Sequence, residues 1–282
     1  NLTTMRPKQC GTQGTRRAFT RLDLVVVLAT LALVAAVTRP MWGSSGMSKS
    51  LLCMDNLRRL QSAWLLYATE MQGVMPGNYH GNFVPGTNAL ERPWATGWLD
   101  WGTRADNTNT LYLTEARYAS LAGYLDRDLT VYRCPADEYL SGAQAAQRWP
   151  ARVRSYSLNC FLGAGNQDSG PNNLRYTFYR KLSEFRRLTP QQAFVFIEEH
   201  PDSINDPLFW APSNERTLPD FPASLHEGMC WLTYADGHLE PRRWSNPAIK
   251  AAVRFANYNS ISVPPGDPDL VWLLEHASEL LR

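Results

Sequence analysis

The sequence predicts an α+β fold: a long N-terminal helix, membrane-spanning in its first half and amphipathic in its second, packed on a small antiparallel sheet and followed by C-terminal helices. Three observations carry this expectation. Residues 22–37 read LDLVVVLATLALVAAV, apolar apart from Asp23 and Thr30 and without a polar face. Apolar side chains then recur every three or four positions at Leu51, Met54, Leu57, Leu60, Trp64, Ala68 and Met71, with Asp55, Arg58, Arg59 and Glu70 largely off that stripe. Four short β-branched or aromatic stretches follow, two of them flanking Asp236-Gly237.

Composition sets the outer limits. With 282 residues, 44% hydrophobic and 19% charged, the chain must bury a core, and its 18 Gly and 19 Pro mark turns without low complexity. Collagen, coiled-coil rods and polytopic membrane proteins are excluded. A net charge of +2 without a Lys/Arg stripe gives no reason to expect nucleic acid as a partner.

The elements divide the chain into four regions. Residues 1–18 form a basic leader, with Arg6, Lys8, Arg16 and Arg17 and no acid, so the remainder is net acidic. Residues 19–39 form the transmembrane or assembly helix; counted from Phe19 to Thr38, 20 residues at about 1.5 Å each reach roughly 30 Å, the thickness of a bilayer core. Arg16 and Arg17 then hold the leader in the cytoplasm and place everything beyond Pro40 on the far side. An acid within such a run is costly without a partner, which makes Asp23 a functional candidate. Residues 40–73 continue the helix as its amphipathic half, and residues 74–282 form an α+β head domain.

Within the head, residues 74–110 are rich in Pro, Gly, Asn and Trp and read as a loop pinned by aromatics, with Trp94, Trp98 and Trp101 either anchoring it to the core or stacking on sugar rings. A short helix is expected over 114–124. Strands are expected over 154–160, 193–198, 229–235 and 238–244, the last two joined by a two-residue type I′ turn at Asp236-Gly237. Pro241 places the last strand at an edge. Helices are expected over 247–258 and 267–281, the second opened by Asp267-Pro268.

Ala18-Phe19-Thr20-Arg21-Leu22-Asp23, ahead of the apolar run, resembles the processing site of type IV prepilins and type II secretion pseudopilins, whose pattern is Gly-Phe-Thr-Leu-x-Glu. The resemblance implies a pilin-like fold, cleavage between Ala18 and Phe19 by a prepilin peptidase, and N-methylation of Phe19. It makes Asp23 the assembly acid that pairs with a neighbouring subunit's terminal amine, and Pro40, 21 residues after Phe19, the helix kink. The implied partners are the peptidase, other pilin-like subunits and the inner-membrane secretion or pilus assembly machinery. The implied location is a single pass of the inner membrane with the head in the periplasm, and a filament after assembly. Ala18 stands where the pattern has Gly, Arg21 where it has an apolar residue, and Asp23 is one methylene shorter than Glu.

Five further patches in order, Cys53-x-x-Asn56-Leu57 with Trp64 and Tyr67, Arg133-Cys134-Pro135-Ala136-Asp137, Ser155-Tyr156-Ser157-Leu158-Asn159, residues 199–206 (EHPDSIND) and His226-x9-Asp236-Gly237-His238, resemble the prepilin-like group of planctomycetes and verrucomicrobia with its C-terminal His-x9-Asp-Gly signature. The expected function is a pseudopilin-like structural subunit of a type II secretion or type IV pilus-like filament. The alternative is a permanently membrane-anchored periplasmic binding module for polysaccharide.

Little in the chain points to catalysis. No Ser-His-Asp elbow, P-loop or dinucleotide fingerprint is present, so no enzyme is expected. His226 and His238 with Glu198, Glu199 or Asp236 can be drawn as a metal site, but their spacing matches no helix-borne or knuckle motif, and structural hydrogen bonding by His226 and Asp236 beside the hairpin is the plainer expectation. Asp202, Asn205 and Asp206 supply oxygens suited to calcium, although with Ser203 they offer about four of the six to eight that calcium takes, and turn formation is the simpler role. No cofactor is otherwise expected. Beyond Cys10 in the leader, Cys53, Cys134, Cys160 and Cys230 would meet an oxidising compartment, and four thiols allow three pairings. The resemblance favours Cys53 with Cys134, since both lie in its patches.

Overall fold

The computed structural model describes residues 20–38, 45–81, 92–165, 175–212, 216–257 and 260–281. The chain divides into two compact units, residues 1–44 and 45–282.

In the first unit, helix α1 (Arg21–Thr38) begins where Thr20 and Asp23 form a reciprocal cap. The Asp23 N–H donates to the Thr20 hydroxyl at 3.2 Å, and the Asp23 carboxylate accepts from the Thr20 N–H and hydroxyl, both at 2.8 Å. This settles the lone acid locally, and the Thr20 backbone N–H, with its hydroxyl, holds the Asp23 carboxyl below the usual carboxylate range. The cap also shortens the helix. With Arg21 and Asp23 in its first turn, the stretch beyond the cap is residues 24–37, apolar apart from Thr30 and about 21 Å at 1.5 Å per residue, against roughly 30 Å of hydrocarbon. Among the described residues no helix is long and apolar enough to cross a membrane. The expected transmembrane segment is therefore corrected, and with it the single-pass inner-membrane placement and its cytoplasm-to-periplasm orientation.

The expected single long pilin-like helix is corrected as well. The described residues show two helices in two units, α1 and α2 (Ser45–Glu70), and neither is both long and apolar. The kink assigned to Pro40 lies outside the described residues, as do Ala18 and Phe19.

The second unit has the α+β content expected. α2 buries Cys53, Leu57, Leu60, Ala63, Trp64, Tyr67 and Ala68, whereas Leu51, placed on the stripe by periodicity, is exposed. Past its end, Gln72 and Gly73 take positive φ (54° and 87°), and the Gly73 N–H returns to the Ala68 carbonyl at 2.7 Å. After two short helices, α3 (Leu111–Thr114) and α4 (Gly142–Ala146), the strands are β1 (Tyr156–Asn159), β2 (Phe194–Glu198), β3 (Leu208–Phe209), β4 (Thr217–Leu218), β5 (Met229–Tyr234), β6 (Leu239–Arg243) and β7 (Ile261–Ser262). The main sheet runs β3-β1-β2-β5-β6, antiparallel except for β3 beside β1, and β4 pairs with β7 apart from it. Pro241 sits in β6, at the edge, where its missing N–H costs no ladder bond.

One face of the sheet carries Tyr156, Leu158, Val195 and Phe196 against α2; the other carries Phe194, Ile197, Leu208, Cys230 and Leu232 against α5 (Pro268–Ala277). Asp267 caps α5 by accepting from the Asp269 and Leu270 N–H groups, with Pro268 at its first position, as the sequence indicates. β2 breaks the period-two rule. Phe194 pairs with Tyr234 and Ile197 with Leu232, so one extra residue sits in β2. The bulge leaves Val195 and Phe196 both in the α2-side core, and the Phe196 N–H is satisfied by the Thr233 hydroxyl at 3.0 Å.

Three local expectations are corrected. The hairpin between β5 and β6 forms, but positive φ is confined to Gly237 (98°). The Gly237 N–H donates to the Tyr234 carbonyl at 2.9 Å and the Tyr234 N–H to that of His238 at 3.0 Å, a three-residue loop with a glycine bulge instead of a type I′ turn. The helix expected over 247–258 is not formed by its described residues, 247–257, because their backbone is taken by side chains elsewhere: the Arg254 and Ala256 N–H groups donate to Asp202, and the His200 ring meets the Ala251 carbonyl at 3.1 Å. Residues 114–124 are likewise diverted, the Ser120 N–H to the Pro93 carbonyl at 2.8 Å and the Tyr118 carbonyl to the Thr96 hydroxyl at 2.6 Å. The Trp-rich loop anchors inward: Trp94 and Trp101 are buried, and the Trp94 ring N–H donates to the Pro207 carbonyl at 3.1 Å.

Gly163 shows how tightly that loop is held. Its φ is +84°, and a Cβ there would lie 2.1 Å from the Pro76 carbonyl oxygen. Gly163→Ala is expected to cost at least about 2 kcal/mol, through the left-handed backbone and the contact together, measured by urea unfolding.

Candidate functional site

The bulge decides where Glu198 points. With strict alternation from Phe194 it would share that residue's face; the extra residue turns it to the α2 side, beside its cross-strand partner Tyr156. There it meets Cys53, one α2 turn before Leu57. Cys134 arrives on the loop after the 3-10 turn Leu129–Tyr132, which Asp128 caps and which the Asn56 amide holds through the carbonyls of Thr130 and Arg133 at 3.0 and 2.8 Å. His226 comes from the tight turn ahead of β5, where Glu227 and Gly228 adopt positive φ and His226 and Met229 exchange backbone hydrogen bonds.

Four segments thus deliver four donor atoms to one buried point. Cys53 Sγ lies 2.8 Å from Glu198 Oε1, His226 Nε2 lies 3.0 Å from that oxygen, and Cys134 Sγ lies 3.4 Å from His226 Nε2. All four donor atoms fall within 4.8 Å of one another, and this is the one such group of His, Cys, Asp and Glu among the described residues. Surrounding groups orient them. The Trp231 N–H donates to Glu198 Oε2 at 2.8 Å, the Ala136 N–H to Cys134 Sγ at 3.3 Å, and the Tyr156 hydroxyl lies 3.2 Å from Cys53 Sγ.

The electrostatics are those of a buried cation-anion pair flanked by thiols. Burial raises the Glu198 carboxyl, but the hydrogen bond and charge of His226, with the two thiols, outweigh it and hold the group below its ordinary value. Burial lowers the His226 imidazole, yet its bonds to Cys134 and Glu198 push it up to about 10. Burial drives the Cys53 thiol well up, and Cys134 and Glu198 add to that.

The structure redistributes the residues singled out from sequence. Cys53 and Cys134 do come together, but as free thiols; the expected bridge is corrected, since each sulfur is engaged by the Glu198–His226 pair. His226 does not meet Asp236, because the two lie at opposite ends of β5 and Asp236 bonds His238 instead. Gly237 is in contact range of α2, where a Cβ would lie 2.9 Å from Leu65 Cδ1. The oxygens of Asp202, Asn205 and Asp206 are not gathered as a calcium shell: Asp202 accepts from Trp101, Arg254 and Ala256, Asn205 from the Asp206 N–H, and Asp206 from Gly81 and Leu208 with His80 nearby.

The remaining motif residues knit the interior. Ser155 donates to Asp137 at 2.8 Å, Ser203 to Glu199 at 2.7 Å, and Asn159 to the carbonyls of Phe194 and Ala277 at 3.0 and 2.9 Å. Arg154, fully buried, donates to the Tyr156 and Asn205 carbonyls and to Ser157. The four-donor cluster was legible only in halves, as a cysteine pair and as a His-Glu pair. Comparison with protein-family models, with curated proteins and with solved structures finds no match to this chain.

Proposed function

We propose that this chain is a pseudopilin-like structural subunit that assembles through α1, its head serving as a rigid α+β body. The observation that carries the reading is the helix itself. Leu22, Leu24, Val25, Val26, Val27, Leu28, Leu31 and Leu33 are exposed by between 44% and 73%, on every side of α1. A soluble surface helix leaves its polar face to water, and this one has none, so it needs apolar neighbours all round. Further copies of the same helix provide them. The processing pattern at Ala18-Phe19-Thr20 supplies the means of release, and its partners are a prepilin peptidase, other pilin-like subunits and their assembly machinery.

The polysaccharide-binding alternative is less well supported, since two of the three tryptophans it needs are committed to the core. Intact-mass measurement of the full chain co-expressed with a prepilin peptidase tests the proposal. A product that starts at N-methylated Phe19 is expected; a chain retaining its basic leader contradicts it.

A further inference from the structure

The cluster of Cys53, Cys134, Glu198 and His226 does more than fill the interior, and we infer that it is a structural binding site for one divalent cation of the zinc class, clamping α2 to the sheet. Cys160 and Cys230 lie in the core on the α5 side of the sheet, where buried cysteines behave as small hydrophobes. Cys53 and Cys134 instead face an imidazole and a carboxylate, and no two of the four donors come from the same segment.

The donor set selects the ion. Two cysteine sulfurs, an imidazole and a carboxylate, the first three giving up their protons to solvent as the ion binds, suit a borderline-soft ion that accepts four ligands, whereas calcium and magnesium require oxygen. Zinc holds sulfur at about 2.3 Å and nitrogen or oxygen at about 2.0–2.2 Å, which in a tetrahedron separates donors by about 3.3–3.8 Å. The separations of 2.8, 3.0 and 3.4 Å bracket the lower edge of that range and the remaining pairs lie within 4.8 Å, so an ion at the centre asks the close pairs to open and any wider ones to close by about 1 Å or less. The groups that orient metal ligands from behind are also in place: the Trp231 N–H fixes the second Glu198 oxygen, and the Ala136 N–H points at the Cys134 sulfur.

The side chains of all four residues are buried, with residue exposures of 0% for Cys53, Cys134 and Glu198 and 5% for His226. Four protein donors leave no position for substrate, which makes the site structural, and catalytic zinc keeps one position open. It cross-links α2, the Cys134 loop, the end of β2 and the turn ahead of β5, and it does so whether or not α1 assembles.

The test uses the full chain purified without chelator, with metal measured by mass spectrometry. About one zinc per chain is expected, and stripping it is expected to lower the Tm by on the order of 10 °C, restored by added zinc. Cys134→Ser and His226→Ala are each expected to reduce bound zinc at least about tenfold, and Cys230→Ser to leave it unchanged. Because those variants can fail to fold, stripped wild-type chain is also titrated with cobalt, where a thiolate-to-cobalt charge-transfer band saturating near one equivalent is expected. Wild-type chain that carries no metal and gives no such band overturns the inference, as does zinc content undiminished in Cys134→Ser and His226→Ala; the cluster is then a His-Glu ion pair flanked by thiols.

Discussion

Arg154→Met is expected to destabilise the head by about 3–5 kcal/mol toward pH 8, because it removes three hydrogen bonds from buried acceptors and strips the cation from a set of acids that begins to ionise there, while nearly keeping the volume of the side chain. Arg154 is 1% exposed, and its charge acts on Glu199, Asp206 and Asp220. Burial pushes all three acids up, Glu199 to about 8, and the Arg154 guanidinium opposes that rise in each. Burial lowers Arg154 itself to about 10, so it remains a cation through the physiological range.

The pH dependence gives the prediction its sign. An acid whose folded pKa is raised keeps its proton in the native state, so its stability contribution is full below the unfolded pKa and is lost as pH rises through the folded value. Near pH 5 Glu199 is protonated with or without its cation, and the penalty of Arg154→Met is reduced to that of the lost hydrogen bonds to the Tyr156 and Asn205 carbonyls and to Ser157. Toward pH 8 ionisation makes the missing charge felt, and the penalty grows. Urea unfolding of both chains at pH 5, 6.5 and 8 measures it, and a penalty independent of pH contradicts the account.

What could be read from sequence was what is local. Short β-branched and aromatic stretches located β1, β2, β5 and β6 to within two residues, Asp236-Gly237 located the hairpin, and Asp267-Pro268 located the start of α5. What failed was set by partners far away in the chain. A helix is expected over 247–258, but Ala251, Arg254 and Ala256 give their backbone to His200 and Asp202. The bulge in β2 has no glycine or proline to announce it, yet it turns Glu198 toward α2 and creates the four-donor cluster. The transmembrane expectation counted Phe19 to Thr38 as one run, whereas Thr20 and Asp23 spend the first turn on a cap. The hairpin turn was misjudged for a smaller reason: Asp-Gly serves a type I turn with a glycine bulge as readily as a type I′ turn.

The motif patches resolve into one physical picture. Asn56, Cys53, Cys134, Asp137, Ser155, Asn159, Glu199 and His226 are not spread over a surface; they are hydrogen-bonded positions inside the head, where a buried polar group left unpaired costs about 1–3 kcal/mol. Such residues specify a fold.

The double substitution Val26→Asp with Leu28→Asp carries the second large effect. Both side chains are more than half exposed in α1, so the change leaves the chain free to fold, but it places two carboxylates where neighbouring helices would bury them. Each buried carboxylate costs at least a tenfold factor in association, so the pair is expected to weaken assembly at least about a hundredfold. Sedimentation velocity of the full-length wild-type chain beside this variant is the most direct measurement. Assembly through α1 predicts large concentration-dependent particles for the wild type and monomers with an unchanged head Tm for the variant; wild-type monomers, or particles that survive both aspartates, would contradict it.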